Sequence, residues 1–556
     1  PYTTLFRSRP AWWARLYAAL RAAGQRGADL GELGALPVPL WDGRLVRGPR
    51  GLLLPTGASF TSGTLDAAAL EPLGLRIVHP EAVDPLLVRL GAVEANERAV
   101  LTDPMTRAAV ENSLDSDDPD TIARAVLELV AASATTVADE PWLAELALRD
   151  TEGDYSPAAE LLHPDSPLRD VLVEDAPFGV LADDLAEAYD AETLESVGVV
   201  RLFTVHRAHD VTLGAALAED PDEVPLDGVA EWAAEVSALL GHPELPPIVP
   251  ELVGVRDLEF VREDRWPRVL ELLAAPGPRA AVVEPARVFT GDGRAVDVPS
   301  YTAWWLRTGA LLGGRTPVES RTADADPALV GLYDEIPVAL DPEFARALGV
   351  RSDLDRLLAD PDGPDDLLDR LGDPERRVPR AVLRRLWAAL AEVPADRVSP
   401  PERVRAVRGG AVVVADAEDT VVVDAPDLLP LLTERPVVLG PVERAAALAD
   451  VLDLDLASEV VEGRVTSSGE VRQVPDEVRA FLGETPLTYL HHEELRVDGV
   501  AVEWRCVDGH LHASTTDGLA RALCWATGQW PRRHLVAALL RDPQTLPVLR
   551  AEADLE

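Results

Sequence analysis

Over residues 10–23 the apolar positions Trp12, Trp13, Leu16, Tyr17 and Leu20 fall at i, i+1, i+4, i+5 and i+8. That spacing is one face of a helix, which Gly24 is expected to end. Residues 36–54 alternate instead and turn at Asp42-Gly43, a hairpin signal. A short helix is predicted over 65–71, stopped by Pro72 and Gly74, then a strand over 75–78 and a helix over 84–90. Further helices are predicted over 104–114 and 121–132. The aspartates between them, in 115–120, supply N-cap candidates for the second. Later in the chain the apolar runs 411–414 and 421–423 read as buried strands.

One order of events recurs four times: a strand, a tight polar turn, an extended stretch with a proline, then an amphipathic helix. The turns are Trp41-Asp42-Gly43-Arg44, Asp150-Thr151-Glu152-Gly153-Asp154, Gly291-Asp292-Gly293-Arg294 and, more weakly, Arg408-Gly409-Gly410. Three helices are expected to stop at a glycine followed by an apolar residue: Leu73-Gly74-Leu75, Val197-Gly198-Val199 and Leu348-Gly349-Val350. The cassettes occupy 9–135, 136–249, 250–398 and 399–484, with linker-like shifts at 360–366 and 399–401. Recurring supersecondary units point to an array that holds or binds. The tail, 485–556, reads as strands over 495–497, 500–507 and 510–513, joined by Asp498-Gly499 and Asp508-Gly509 and followed by helices over 517–526 and 532–540. Asp-Gly in a two-residue loop favours a type I′ turn, which makes this an antiparallel meander. The expected class is α/β, in the mixed α+β sense.

Composition narrows the function. A hydrophobic content of 47% is far above that of disordered chains. Acidic residues number 96 against 52 basic, a formal net charge of −44, which repels phosphate backbones and anionic lipid. Nucleic-acid and membrane partners are therefore not expected. Every basic side chain is arginine. Without lysine the chain has no P-loop phosphate ligand and no Schiff-base chemistry. Two cysteines, Cys506 and Cys524, fit a reducing cytoplasm rather than a disulfide framework. No apolar run is long enough to span a bilayer. Residues 1–8 read like a translated sequencing-adapter oligonucleotide, an artefact, with the natural chain expected to extend upstream.

The candidate sites are sparse. His491, His492, Cys506, His510, His512, Cys524 and His534 gather in the tail but lack paired zinc-ligand spacing. Cys506 and Cys524 read as core thiols. His206 and His209, followed by Asp210, would share a face on a helix, yet no partner motif accompanies them. The aspartates of 115–120 and 360–366 lack the order of an EF-hand and read as charged loops and caps. No G-x-S-x-G, H-E-x-x-H or G-x-G-x-x-G occurs. Trp12-Trp13 and Trp304-Trp305 suit core packing better than partner anchoring.

Asn112, in Ala109-Val110-Glu111-Asn112-Ser113-Leu114-Asp115, resembles the Mg²⁺-binding asparagine of GHKL-type ATPases. The position one turn earlier is Ala108, however, where that family carries its general-base glutamate. The blocks Leu36-Pro37-Val38-Pro39-Leu40-Trp41-Asp42-Gly43-Arg44 and Ser156-Pro157-Ala158-Ala159-Glu160-Leu161-Leu162-His163-Pro164 resemble the spacer repeats of sacsin-type proteins. More specifically, the chain resembles the region behind the ATP-binding domain of large actinobacterial sacsin-like proteins, relatives of the ninety-kilodalton heat-shock chaperone. The resemblance implies a parent whose N-terminal GHKL domain binds ATP and Mg²⁺. It implies a non-catalytic role here, binding protein clients or partners in the cytoplasm. No catalytic, cofactor-binding or metal residue is expected within this chain. The alternatives are a hydrolase or metal site in the His/Cys tail, and a scaffold with no ATP-coupled function.

Overall fold

The computed structural model describes residues 9–26, 31–56, 66–214 and 224–553, with Phe60 and Leu217; residues 1–8 lie outside them. The chain divides into two compact units, one ending at Gly314 and the other starting at Arg315. The division falls inside the segment 250–398 expected for the third cassette. Both units are mixtures of helices and several small sheets.

A sheet plan recurs along the chain. In the fourth copy the hairpin Arg403–Arg408 with Ala411–Asp416 opens the sheet. Val421–Val422 lies between Val437–Val438 and Asp455–Leu456, parallel to both. Val437 in turn pairs antiparallel with Val407 of the hairpin. Counted along the chain, the strand order is 2-1-4-3-5. The first copy repeats it: the hairpin Pro37–Pro39 with Leu45–Arg47, the bridges Leu40 to Val78 and Leu53 to Ile77, and Leu53–Leu54 parallel to Val93–Glu94. So does the second, with Ala147–Arg149 and Tyr155–Pro157, the bridge Asp150 to Leu181, Leu161–Leu162 parallel to Gly179–Val180, and the bridge Leu162 to Val200. The third keeps the parallel trio: Ser320–Arg321 beside Asp334–Glu335, and Arg321 bridged to Arg351.

The third hairpin has gone elsewhere. The turn at Gly291-Asp292-Gly293-Arg294 joins Ala286–Phe289 to Ala295–Val298, but this pair extends a four-stranded antiparallel sheet with Ile248–Val255 and Val205–Thr212. The eight-residue strand Ile248–Val255 lies between that hairpin and Val205–Thr212, and helix Tyr301–Thr308 follows the hairpin before the parallel trio begins.

A left-handed residue precedes the last strand of every copy: Gly91 (φ +99°), Gly198 (+108°), Gly349 (+74°) and Asp453 (+53°). Across each, the next N–H reaches back to the final helical turn: Ala92 to the Leu87 carbonyl at 2.9 Å, Val199 to Leu194 at 3.0 Å, Val350 to Ala345 at 2.9 Å, Leu454 to Ala449 at 3.0 Å. This is the six-to-one bond of a Schellman cap, aiming the chain from helix into strand. Two of the three expected glycine ends hold this place. Gly74 does not; it caps only the 3-10 turn Glu71–Leu73, and residues 67–70 form a turn rather than the expected helix. Pro72 supplies no N–H there, so a helix of that length has no bond to close on it.

Elsewhere the boundaries shift in ways the local chemistry explains. Gly24 lies inside helix Pro10–Gln25, which ends at Arg26. Helix Pro119–Ser133 starts earlier than expected, because Pro119 takes the first helical position and Asp118 caps it from Thr121 N at 3.3 Å. In the tail both Asp-Gly turns are left-handed at both residues, as a type I′ turn requires: Asp498 and Gly499, Asp508 and Gly509. The expected strand 500–507 breaks at Glu503 into Val500–Val502 and Trp504–Val507. The second hairpin then joins Thr488–His491 in parallel, and Glu470–Gln473 beyond it. Helices Thr516–Ala526 and Arg533–Arg541 follow, with a third, Leu546–Ala553, beyond the two expected.

Candidate functional site

The tail brings two of its histidines together. Parallel pairing of Leu490 with His512 and of His491 with Ala513 sets His492, just past the strand end, beside His512. The His492 N–H donates to the Ala513 carbonyl at 3.0 Å, which fixes the approach. Nε2 of His492 then lies 3.0 Å from Nδ1 of His512. On the far side of the ring, His492 Nδ1 is 2.9 Å from Ser467 Oγ, and that oxygen accepts the Arg496 N–H at 3.0 Å. Gly469 lies against the His492 ring so closely that a Cβ would stand 2.5 Å from Nε2.

Both rings are buried, His492 to 1% exposure and His512 to 8%. Burial is the main cause that lowers both pKa values. For His512 the electrostatic influence of His492, then of His510 and Arg505, adds to it, bringing it to about 4. For His492 the neighbour His491 adds to it. Arg505 stands directly opposite His512 across the hairpin. At neutral pH the pair therefore holds one proton between the two facing nitrogens. The chain Arg496–Ser467–His492–His512 is a neutral hydrogen-bonded relay that stitches the segment before Glu470 onto the sheet.

The other tail candidates do not join it. The Cys506 thiol faces the Ala522 carbonyl at 3.8 Å, and burial, then the Asp427 charge, push its pKa up to about 12. Cys524 is buried, and its thiol is likewise pushed up to about 12 by burial. Thiols so shifted are poor nucleophiles, in line with the core assignment. His510 and His534 are exposed. Among the described residues no three His, Cys, Asp or Glu side chains are grouped so as to hold a metal ion.

His206 and His209 lie on the strand Val205–Thr212, not on a helix, so three-residue spacing does not give them a common face. His206 is half-buried, with its pKa lowered by burial and then Arg256. Asn112 ends helix Pro104–Glu111, its side-chain amide donating to the Ala108 carbonyl at 2.7 Å. The 360–366 aspartates do more than line a loop. Asp366 accepts from Tyr333 Oη at 2.7 Å, Arg370 Nε at 2.9 Å and Arg351 Nη2 at 3.2 Å. Arg370 also covers the Tyr333 ring at 4.4 Å. Trp13 is buried. Trp304 and Trp305 pack against the cluster around Trp232 and Tyr301, their indole N–H groups held by Glu235 and Asp227.

Sequence reasoning missed Ser467 and Arg505 because neither sits in a motif; only the fold places them beside His492 and His512. No helix among the described residues is long and apolar enough to cross a membrane. No protein-family model, curated protein or solved structure matches this chain.

Proposed function

We propose that this chain is a non-catalytic binding array of the sacsin-like kind, engaging protein clients or partners in the cytoplasm. ATP and Mg²⁺ would be handled by a GHKL-type domain that is no part of the array. The observation that supports this reading is the recurrence of the 2-1-4-3-5 sheet plan, with its left-handed joint, in both compact units. Repetition of one unit multiplies surface without assembling a single reaction centre, which is the economy of binding arrays. The −44 charge suits a surface that keeps an aggregating client soluble while avoiding nucleic acid.

The test is suppression of aggregation. Light scattering from a heat-aggregating reporter enzyme should fall when the full chain is present at equal molar ratio, and bovine serum albumin should not reproduce the effect. Unchanged scattering would favour the scaffold role over client binding. ATP with Mg²⁺ should leave the melting temperature in place, whereas a bound ligand at about a hundredfold its Kd adds about 2.7 kcal/mol.

A second reading rests on the Ser467–His492–His512 hydrogen bonds, which have the connectivity of a hydroxyl activated through imidazole. Ester hydrolysis abolished by Ser467→Ala would favour it over the array. The low basicity of both rings argues the other way.

A further inference from the structure

One cavity in this acidic chain is lined by three arginines and no carboxylate. It has a volume of about 310 Å³ and lies in the second unit, between helix Arg380–Leu390 and the sheet of the fourth copy. Its floor is apolar: Leu383, Trp387, Val407 and Val437 are all buried. Arg405 closes one side. Its guanidinium is held by three carbonyls, those of Leu371 at 2.9 Å, Arg376 at 2.7 Å, and Asp373. That charge is fixed, buried and in hydrogen-bond contact with no carboxylate.

The rim is more telling. Arg380 and Arg384 are four apart on one helix and share a face, and both line the opening. Arg380 donates to the Gly410 carbonyl at 3.0 Å. Arg384 makes no hydrogen bond or ion pair with any described residue. Its neighbour Arg385, by contrast, is paired with Asp326 at 2.5 Å. Arg380 and Arg384 thus present two guanidiniums on one helix face with no carboxylate partner among the described residues, beside an apolar floor. The N-terminal end of the helix, which begins at Arg380, adds positive potential on the same side.

We propose that this cavity binds an organic carboxylate bearing one aromatic or branched aliphatic group. The apolar part would seat on Trp387, Leu383 and Val407, and the carboxylate between Arg380 and Arg384. A guanidinium pair suits one planar carboxylate, which accepts forked hydrogen bonds. The volume is at the small end of ligand sites and fits a single ring-sized group. The charge of −44 around it disfavours polyanions, so one negative charge is the matched number. The carboxylate could be that of a free acid or the C-terminus of a polypeptide, since both present the same chemistry. The inference stands whether or not the array binds clients.

The test is calorimetric titration of the full chain with 3-phenylpropionate, its amide, acetyl-Gly-Gly-Phe acid and the corresponding peptide amide. The free acid should bind at least about tenfold more tightly than its amide. Arg384→Gln and Arg380→Gln should each weaken it by about tenfold, with unchanged melting temperatures because both side chains are exposed. Arg479→Gln, on another helix, should leave binding alone. If the peptide acid binds as the free acid does, the site accepts polypeptide C-termini; if only the free acid binds, the ligand is a small molecule. Equal binding of acid and amide, binding indifferent to Arg384→Gln, or no heat with either acid at about 10 mM would overturn the proposal.

Discussion

Arg505 and Asp427, 78 positions apart, meet as a buried ion pair, Nη1 to Oδ2 at 2.6 Å, with 9% and 1% of their side chains exposed. The same carboxylate oxygen accepts the Cys506 N–H at 2.8 Å. Arg505 Nε donates to the Gly463 carbonyl at 3.1 Å. One guanidinium thus ties the 3-10 segment Pro426–Leu431 of the fourth copy, the chain after it, and the tail strand Trp504–Val507. In the second unit this pair joins the tail to the last repeat, alongside the packing of Leu431 against Leu495, Val497 and Val502.

Removing one partner should therefore cost much more than removing both. Asp427→Ala leaves a buried guanidinium uncompensated and is expected to destabilise the second unit by about 3–5 kcal/mol. The double replacement Asp427→Leu with Arg505→Met should recover most of that. Urea unfolding of the three proteins measures the difference. A single-variant cost under about 1 kcal/mol would mean that the pair is not the tie described.

The joints before the last strands make a second comparison possible. Gly349→Ala places a Cβ in the left-handed region and should cost about 1–2 kcal/mol. Asp453→Gly relieves the same strain but loosens the unfolded chain, so its effect should stay within about 1 kcal/mol. Thermal unfolding distinguishes the two. Equal losses from both substitutions would remove the equivalence of the two positions.

Those joints also show what a sequence can and cannot reveal. Gly198 and Gly349 were readable because only glycine takes their backbone geometry without strain. Asp453 occupies the equivalent position without the signal, and Gly74 carries the signal without the position. The hairpin turns at Asp42-Gly43, Gly409-Gly410 and the two Asp-Gly pairs were legible because turn geometry is local. The 2-1-4-3-5 order was not. Its inner strands are as short as two residues, Leu53–Leu54 and Val421–Val422 among them, and their partners lie tens of residues away. His492 and His512 were visible as tail histidines, but their contact depends on a parallel register that no spacing encodes.

Acid should weaken the tail through that contact. A histidine held neutral by the fold contributes stability that is fully present above its unfolded pKa, about 6.5. The contribution is lost as pH falls toward the folded value, which is about 4 for His512. His492 shifts in the same direction. The groups resisting protonation of His512 are His492, His510 and Arg505. The urea midpoint of the second unit should drop between pH 6.5 and 5, above the range where ordinary carboxylates titrate. An NMR titration should place the His512 transition near pH 4. A midpoint at 6.5 or higher would remove the basis for this pH dependence.

The break at Glu503 has a cause that one substitution can expose. Gly518 is in the first turn of helix Thr516–Ala526, where Thr515 caps it at 2.9 Å. A Cβ at Gly518 would stand 2.1 Å from the Glu503 carbonyl oxygen, which already accepts the Ser514 N–H at 3.0 Å. The helix end and the interrupted strand therefore approach backbone to backbone, and neither can yield without losing its own hydrogen bonds. Gly518→Ala would raise helix propensity by about 1 kcal/mol in isolation. Here it should instead destabilise the second unit by about 1–3 kcal/mol through overpacking. Ala522, one turn on and fully buried, gives the contrast: Ala522→Gly should cost about 1 kcal/mol through lost propensity, plus the loss of its buried methyl. If Gly518→Ala raises the melting temperature, the close approach at Glu503 is not a constraint on the fold.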